Sequence, residues 1–225
     1  MVDRLKGLIV RPNIVFAEIA REQHFLWPWL LSSFLLALPM IAAVHRIGPV
    51  RLFGSMIALV EINPDLADQP AEVLYGAFTR LFEFLVFLVP FVTIPLTALS
   101  VKPMLPFLRG QATVRALMAV TCWAALPPAI GMCVTAVFVL AVGNPAQLTL
   151  GSLTPFDLGV LIPARISPLL HNIASTVEFF SSWSVYLLLE GIGAAAGVSF
   201  RRAFFWLALP LILFAWIVAA VLSML

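Results

Sequence analysis

Charge is what this sequence has least of. Only 11% of its residues are Asp, Glu, Lys or Arg, against about 25% in an ordinary soluble domain. Too little polar surface is available to wet a compact globule, which excludes most soluble classes. The net charge is +2 and no long basic run occurs, so nucleic acid is not an expected partner. Cysteine is scarce as well. Cys122 and Cys133 stand 11 positions apart in one apolar stretch, about three helical turns or roughly 16 Å, too far for one disulfide. They read as small packing residues. The enzyme patterns G-x-x-x-x-G-K-[ST], H-E-x-x-H, G-x-S-x-G and C-x-x-C are all absent. His24, His45 and His171 are scattered, the first two at opposite ends of one apolar run. No enzymatic activity, cofactor or metal is therefore expected. The first 24 residues carry charges of both signs with no small-residue cleavage site after them, so no cleavable signal peptide is expected either.

What the chain does have is hydrocarbon. Of its 225 residues 62% are hydrophobic, and the mean hydropathy is +1.07. A membrane span takes about 20 apolar residues. The apolar runs predict an all-α, polytopic membrane bundle with spans at about 25–44, 78–99, 112–142 (with a proline break), 177–198 and 203–225. Ahead of them lies a cytoplasmic N-terminal segment, 1–24, in which Pro12 opens an amphipathic helix over 12–23. That helix either lies on the membrane surface or caps the bundle as a packed element. The apolar stretch 52–60 is too short to span and reads as a surface helix, followed by an acidic, turn-rich loop at 61–70. Pro127 and Pro128 divide the third helix into an approach segment and a span. Only Ser199 to Arg202 separate the last two helices, which predicts a tight antiparallel hairpin.

Five spans place the termini on opposite sides. Nine Lys and Arg residues (Arg4, Lys6, Arg11, Arg21, Lys102, Arg109, Arg115, Arg201, Arg202) fall on the side of the N-terminus, against four (Arg46, Arg51, Arg80, Arg165) on the other. The excess predicts a cytoplasmic N-terminus and a C-terminus outside.

An ionisable residue at bilayer depth costs about 2.5–3.5 kcal/mol even on the lenient insertion scale, so each one is a candidate site. Glu83 follows Arg80 by three positions, a spacing at which the two can pair. His171 and Glu178, seven apart, share a helix face; they are either a proton or metal site or two interfacial polar groups. Glu190 lies about two turns inside its span, and serves either an interhelical hydrogen bond or a proton- or substrate-handling role. Gly193 and Gly197 form a G-x-x-x-G spacing, which predicts close helix packing within the chain or between copies.

Several stretches together resemble the Yip family, five-span proteins named for Ypt/Rab-interacting membrane proteins. The opening RLKGLIVRP at 4–12, with Ile19, Ala20, Arg21 and Glu22, is similar to the start of bacterial members. The stretch 110–127, GQATVRALMAVTCWAALP, resembles the family's third-helix pattern of glycine, a basic residue, an Ala/Leu run and proline. Phe180, Ser181, Ser182 and Trp183, then Gly191, Gly193, Gly197, Ser199 and Ala203, resemble its fourth helix and turn. The resemblance implies a multi-pass protein of a bacterial inner membrane without catalytic residues. It implies as partners membrane lipids, another membrane protein or the chain itself. Eukaryotic relatives carry a long cytosolic region linked to Rab-type GTPases; with only residues 1–24 ahead of the first span, such binding is not expected here. Two functions remain open: a non-enzymatic component that organises membrane or binds a membrane-protein partner, and a carrier or channel for a small molecule, ion or lipid that uses bent helices and Glu190.

Overall fold

A computed structural model of the chain describes residues 2–47, 71–142, 156–162 and 165–222. The expected surface helix at 52–60 and acidic loop at 61–70 lie outside the described residues. The helices are α1 (Val2–Val10), α2 (Pro12–Glu22), α3 (Leu26–Ile47), α4 (Ala71–Val101), α5 (Val114–Ala124), α6 (Leu126–Ala141), α7 (Pro168–Ser175), α8 (Phe179–Ala196), α9 (Phe200–Ala203) and α10 (Leu209–Leu222), the last two joined by a π-helical turn, Phe204–Ala208. No strand occurs among the described residues; one isolated bridge ties Asp157 to Glu178. Among the described residues, four helical rods are long and apolar enough to cross a membrane: Thr79–Met104, Val114–Ala141, Phe179–Ala196 and Phe200–Val218. Leu26–Ala42 is a shorter apolar helix beside them. The polytopic helical bundle expected from composition is thus the observed fold.

Cross-contacts fix the direction of each rod. Trp29 stacks edge-on to Phe91, Phe34 to Phe87, and His45 meets Glu83, so α3 and α4 run antiparallel. Cys133 lies on Leu35 and Val142 on Arg46, so α3 and α6 run parallel. Along α8 the order is Gly191 against Val120, Ser184 against Ala124 and Phe180 against Gly131, so α8 runs antiparallel to the whole α5–α6 rod.

Proline explains how that rod is broken and held. Pro128 has no N–H to give the carbonyl of Ala124 four residues back. Ser184 Oγ of α8 donates to that carbonyl instead, at 2.6 Å. Pro39 likewise deprives the carbonyl of Leu35, and Cys133 Sγ of α6 approaches it at 3.9 Å, a weak thiol donor. The break itself falls at Ala125. Both cysteines are free thiols, and Cys122 is buried.

The α5–α6 rod is 28 residues long, about 42 Å at 1.5 Å per residue, which exceeds a hydrocarbon core of about 30 Å. The surplus end is sheathed in protein. Phe16 and Ile19 of α2 are 0% and 2% exposed and pack with Val120, Trp123 and Leu187. The N-terminal amphipathic helix thus buries its apolar face against α5 and α8, as a packed cap. Ile9, Val10 and Ile14 form a second, exposed apolar edge of the cap.

The hairpin is a correction. The chain leaves α8 at Gly197, whose φ of 69° sets the left-handed residue that ends the helix. The returning segment packs on α8 mainly through its first turns, with Phe200 against Tyr186 and Ala203, Leu207 and Ala208 buried in the shared core. Beyond the π turn, α10 packs along α7 rather than α8. Pro210 removes a backbone donor just past the π turn, which accounts for the divergence.

Candidate functional site

Glu178 and His171 do not form one site. Glu178 is the N-cap of α8: its carboxylate oxygens accept from the backbone N–H of Phe180 at 3.0 Å and of Ser181 at 2.6 Å. His171 sits in α7 and is engaged elsewhere, its Nδ1 lying 3.1 Å from the carbonyl of Gly159 and 2.8 Å from that of Ile162. Both partners are acceptors, so Nδ1 carries the proton. No cluster of metal-ligating side chains occurs among the described residues.

Arg80 and Glu83 are also apart. Glu83 turns to α3, where its Oε1 lies 3.0 Å from Nε2 of His45. The two groups lie within ion-pair distance but without hydrogen-bond alignment, since Oε1 has no hydrogen-bond donor. Arg80 is exposed and pairs with no described residue. The sequence spacing permits i to i+3 pairing, but the neighbouring helix offers a closer partner.

Gly193 and Gly197 are not the close-packing face. A side-chain carbon on Gly193 would meet only the carbonyl of Val198, at 2.8 Å, and one on Gly197 would meet nothing within 4 Å. Both belong to the helix terminus: the N–H groups of Gly197 and Val198 donate to Gly193 at 3.0 and 3.2 Å. Close approach falls at Gly191, where a side-chain carbon would collide with Val120 and come within 3.0 Å of Phe16, and at Gly131, where it would press on the Phe180 ring.

Glu190 is half-buried and makes no hydrogen bond or ion pair with a described residue. It shares a helix face with Trp183 and the exposed Tyr186.

Several clefts indent the described surface, and Glu190 lines none of those that open at Arg4, Arg115, Val185 or Phe107. One, of about 410 Å³, opens where α1, α3 and the α5–α6 break meet; Arg4, Glu22, His24, Trp27, Trp123 and Leu126 are among its walls. Arg4 and Glu22 form an ion pair across its mouth. A neighbouring cleft of about 520 Å³ shares His24 and Trp27 and adds Arg115. A third, of about 560 Å³, is the apolar groove left where α10 parts from α8, between Val185, Leu189, Ile212 and Trp216. The sequence reading missed the first two, although one indication was present: Trp27, His24 and Arg115 mark one end of the bundle in a chain poor in charge.

Most charged groups among the described residues fall at two ends. One gathers α1, α2, Lys102, which donates to the carbonyl of Ala112, and Arg202, which donates to that of Leu108. The other gathers His45, Arg46 and Glu83, where Arg46 donates to the carbonyl of Val142. Apolar rods between two polar ends define a multi-pass integral membrane protein. Residues 6–221 match the Yip1 domain. The chain belongs to the Yip family. No curated protein and no solved structure matches it.

Proposed function

We propose that the chain is a non-enzymatic component of a bacterial inner membrane that organises lipid or holds a membrane-protein partner, with its N-terminus in the cytoplasm and its C-terminus outside. One observation carries this reading. The membrane-length windows of α4 and of the α9–α10 rod are only 22% and 11% buried within the chain, so two long apolar faces are left for lipid or for another protein. The other candidate carboxylates support it: Glu178 is occupied in capping a helix and Glu83 faces His45. A carrier would need its carboxylate on a water-filled path, and Glu190 lines none of the clefts described above.

The test has two arms. Cross-linking in intact membranes is expected to trap the chain with a discrete neighbour, another protein or a second copy. Proteoliposomes are expected to show the same proton and cation leak as protein-free vesicles, followed with pH- and potential-sensitive dyes. A leak that Glu190→Gln abolishes would overturn the scaffold reading in favour of a carrier. Reporter fusions at the C-terminus are expected to read outside; a cytoplasmic readout would overturn the orientation.

A further inference from the structure

We infer that the paired clefts around His24 and Trp27 bind the headgroup of an anionic phospholipid. The inference rests on the reading of the chain as an integral membrane protein and goes beyond it by naming a ligand class and its site.

The chemistry of the walls carries the argument. Arg115 and His24 are exposed cationic or cation-forming groups that make no hydrogen bond or ion pair with a described residue. They line one cleft together. Guanidinium is always charged, presents several donors in a planar fork and matches phosphate geometry. In the adjoining cleft Arg4 is already paired with Glu22, so the mouth there is neutral and the unneutralised charge is that of Arg115. Beside Arg115 and His24 the walls of their own cleft are apolar and aromatic, from Phe25, Leu26 and Trp27, and through Trp27 they continue into the adjoining cleft with Leu31, Trp123 and Leu126. A cation over an apolar floor fits an amphiphile with an anionic head, and neither a free polar solute nor a bare hydrocarbon uses both parts.

Position agrees with chemistry. The clefts open where the apolar helix Leu26–Ala42 begins, so they sit at headgroup level. Trp27 is 67% exposed there, as a ring at the membrane–water boundary is. This end also holds α1, α2, Lys102 and Arg202, the end with the greater positive charge, which raises the local concentration of anionic lipid. A free phosphate shares the headgroup chemistry but would leave the apolar floor uncovered.

The protein in a neutral detergent, with added phosphatidylglycerol, phosphatidylcholine or soluble glycerol 3-phosphate, tests the inference. Phosphatidylglycerol is expected to raise the thermal midpoint and to be retained in native mass spectrometry. The other two are expected to do neither. Arg115→Gln with His24→Gln is expected to remove most of that response while leaving the lipid-free midpoint unchanged, because both side chains are exposed. Trp27→Ala is expected to reduce it, and Arg80→Gln, at the far end of the bundle, to leave it intact. An equal response to phosphatidylcholine, a full response to glycerol 3-phosphate, or an undiminished response in the double variant would overturn the inference. Such a failure leaves the cross-linking and leak results untouched, so it is distinguishable from failure of the scaffold reading.

Discussion

The ring of Phe16 lies on the bare backbone of Gly191, close enough that a side-chain carbon there would come within 3.0 Å of Phe16 Cδ1. Phe16 is fully buried, and Val120 closes the same space from the α5 side. This three-way contact fastens the N-terminal helices to the bundle. Phe16→Ala is expected to cost about 3–5 kcal/mol, and Gly191→Leu to be at least as damaging because α2 must lift off. Limited proteolysis checks the cause: cleavage within 1–24 should accelerate in both variants before the rest of the chain is cut.

The two glycines of the G-x-x-x-G spacing have separate, smaller effects. Gly197 holds a φ of 69°, where a β-carbon costs about 1–2 kcal/mol. Gly197→Ala is expected to lower stability by about 1 kcal/mol, and Gly197→Asn by less, since asparagine tolerates the left-handed region. Both act through backbone strain, because a side-chain carbon there meets no atom of the chain within 4 Å.

Ser184→Ala should be disproportionately harmful for so small a change. It removes the donor to the carbonyl of Ala124 that Pro128 cannot supply, and an unsatisfied polar group in an apolar setting costs about 1–3 kcal/mol. Ser184→Thr keeps the hydroxyl and is expected to recover most of the loss in thermal midpoint. Equal stability of the alanine variant and the wild type would contradict the arrangement.

Glu178→Ala is expected to destabilise by about 0.5–2 kcal/mol, the cost of a lost N-cap, with Glu178→Asp retaining most of the stability. Glu178→Gln is expected to fall between the two, since an amide oxygen can accept from only one of the N–H groups of Phe180 and Ser181.

Glu83 and His45 are expected to couple weakly. The His45 side chain is 64% exposed, and pairs of this kind are worth about 0–1 kcal/mol. A double-mutant cycle of Glu83→Gln and His45→Gln in detergent should give a coupling energy below about 1 kcal/mol. A larger value would mean that water is excluded from the pair.

The helices were legible because their physics is local. Apolar run length marked the rods, Pro12 the start of α2, and the Pro127-Pro128 pair a break found two residues earlier, at Ala125. Ser167 and Pro168 open α7 as their types predict, with the Ser167 hydroxyl accepting from the N–H of Leu170. Pairings between distant segments were not legible. Spacing along one helix joins Arg80 to Glu83, but a sequence is silent about His45 on the next helix. Gly193 and Gly197 satisfied a packing pattern, yet Gly191 makes the contact and the other two end the helix. Orphaned carbonyls lie between these cases. The residue four before each proline can be named from sequence, which gives Ala124 and Leu35. Their donors, Ser184 and Cys133, cannot be, since each comes from another helix.

The Ser184 hydrogen bond changes what the broken rod can do mechanically. A helix interrupted by two prolines is ordinarily a joint about which its halves swing. Here the vertex is bonded to α8, and Gly131 and Val120 engage the same helix on either side of it. The break is therefore clamped at three points along one neighbouring helix. It behaves as a fixed elbow that transmits force between the capped end and the far end of the molecule, and any large movement must carry α5, α6 and α8 together as one body.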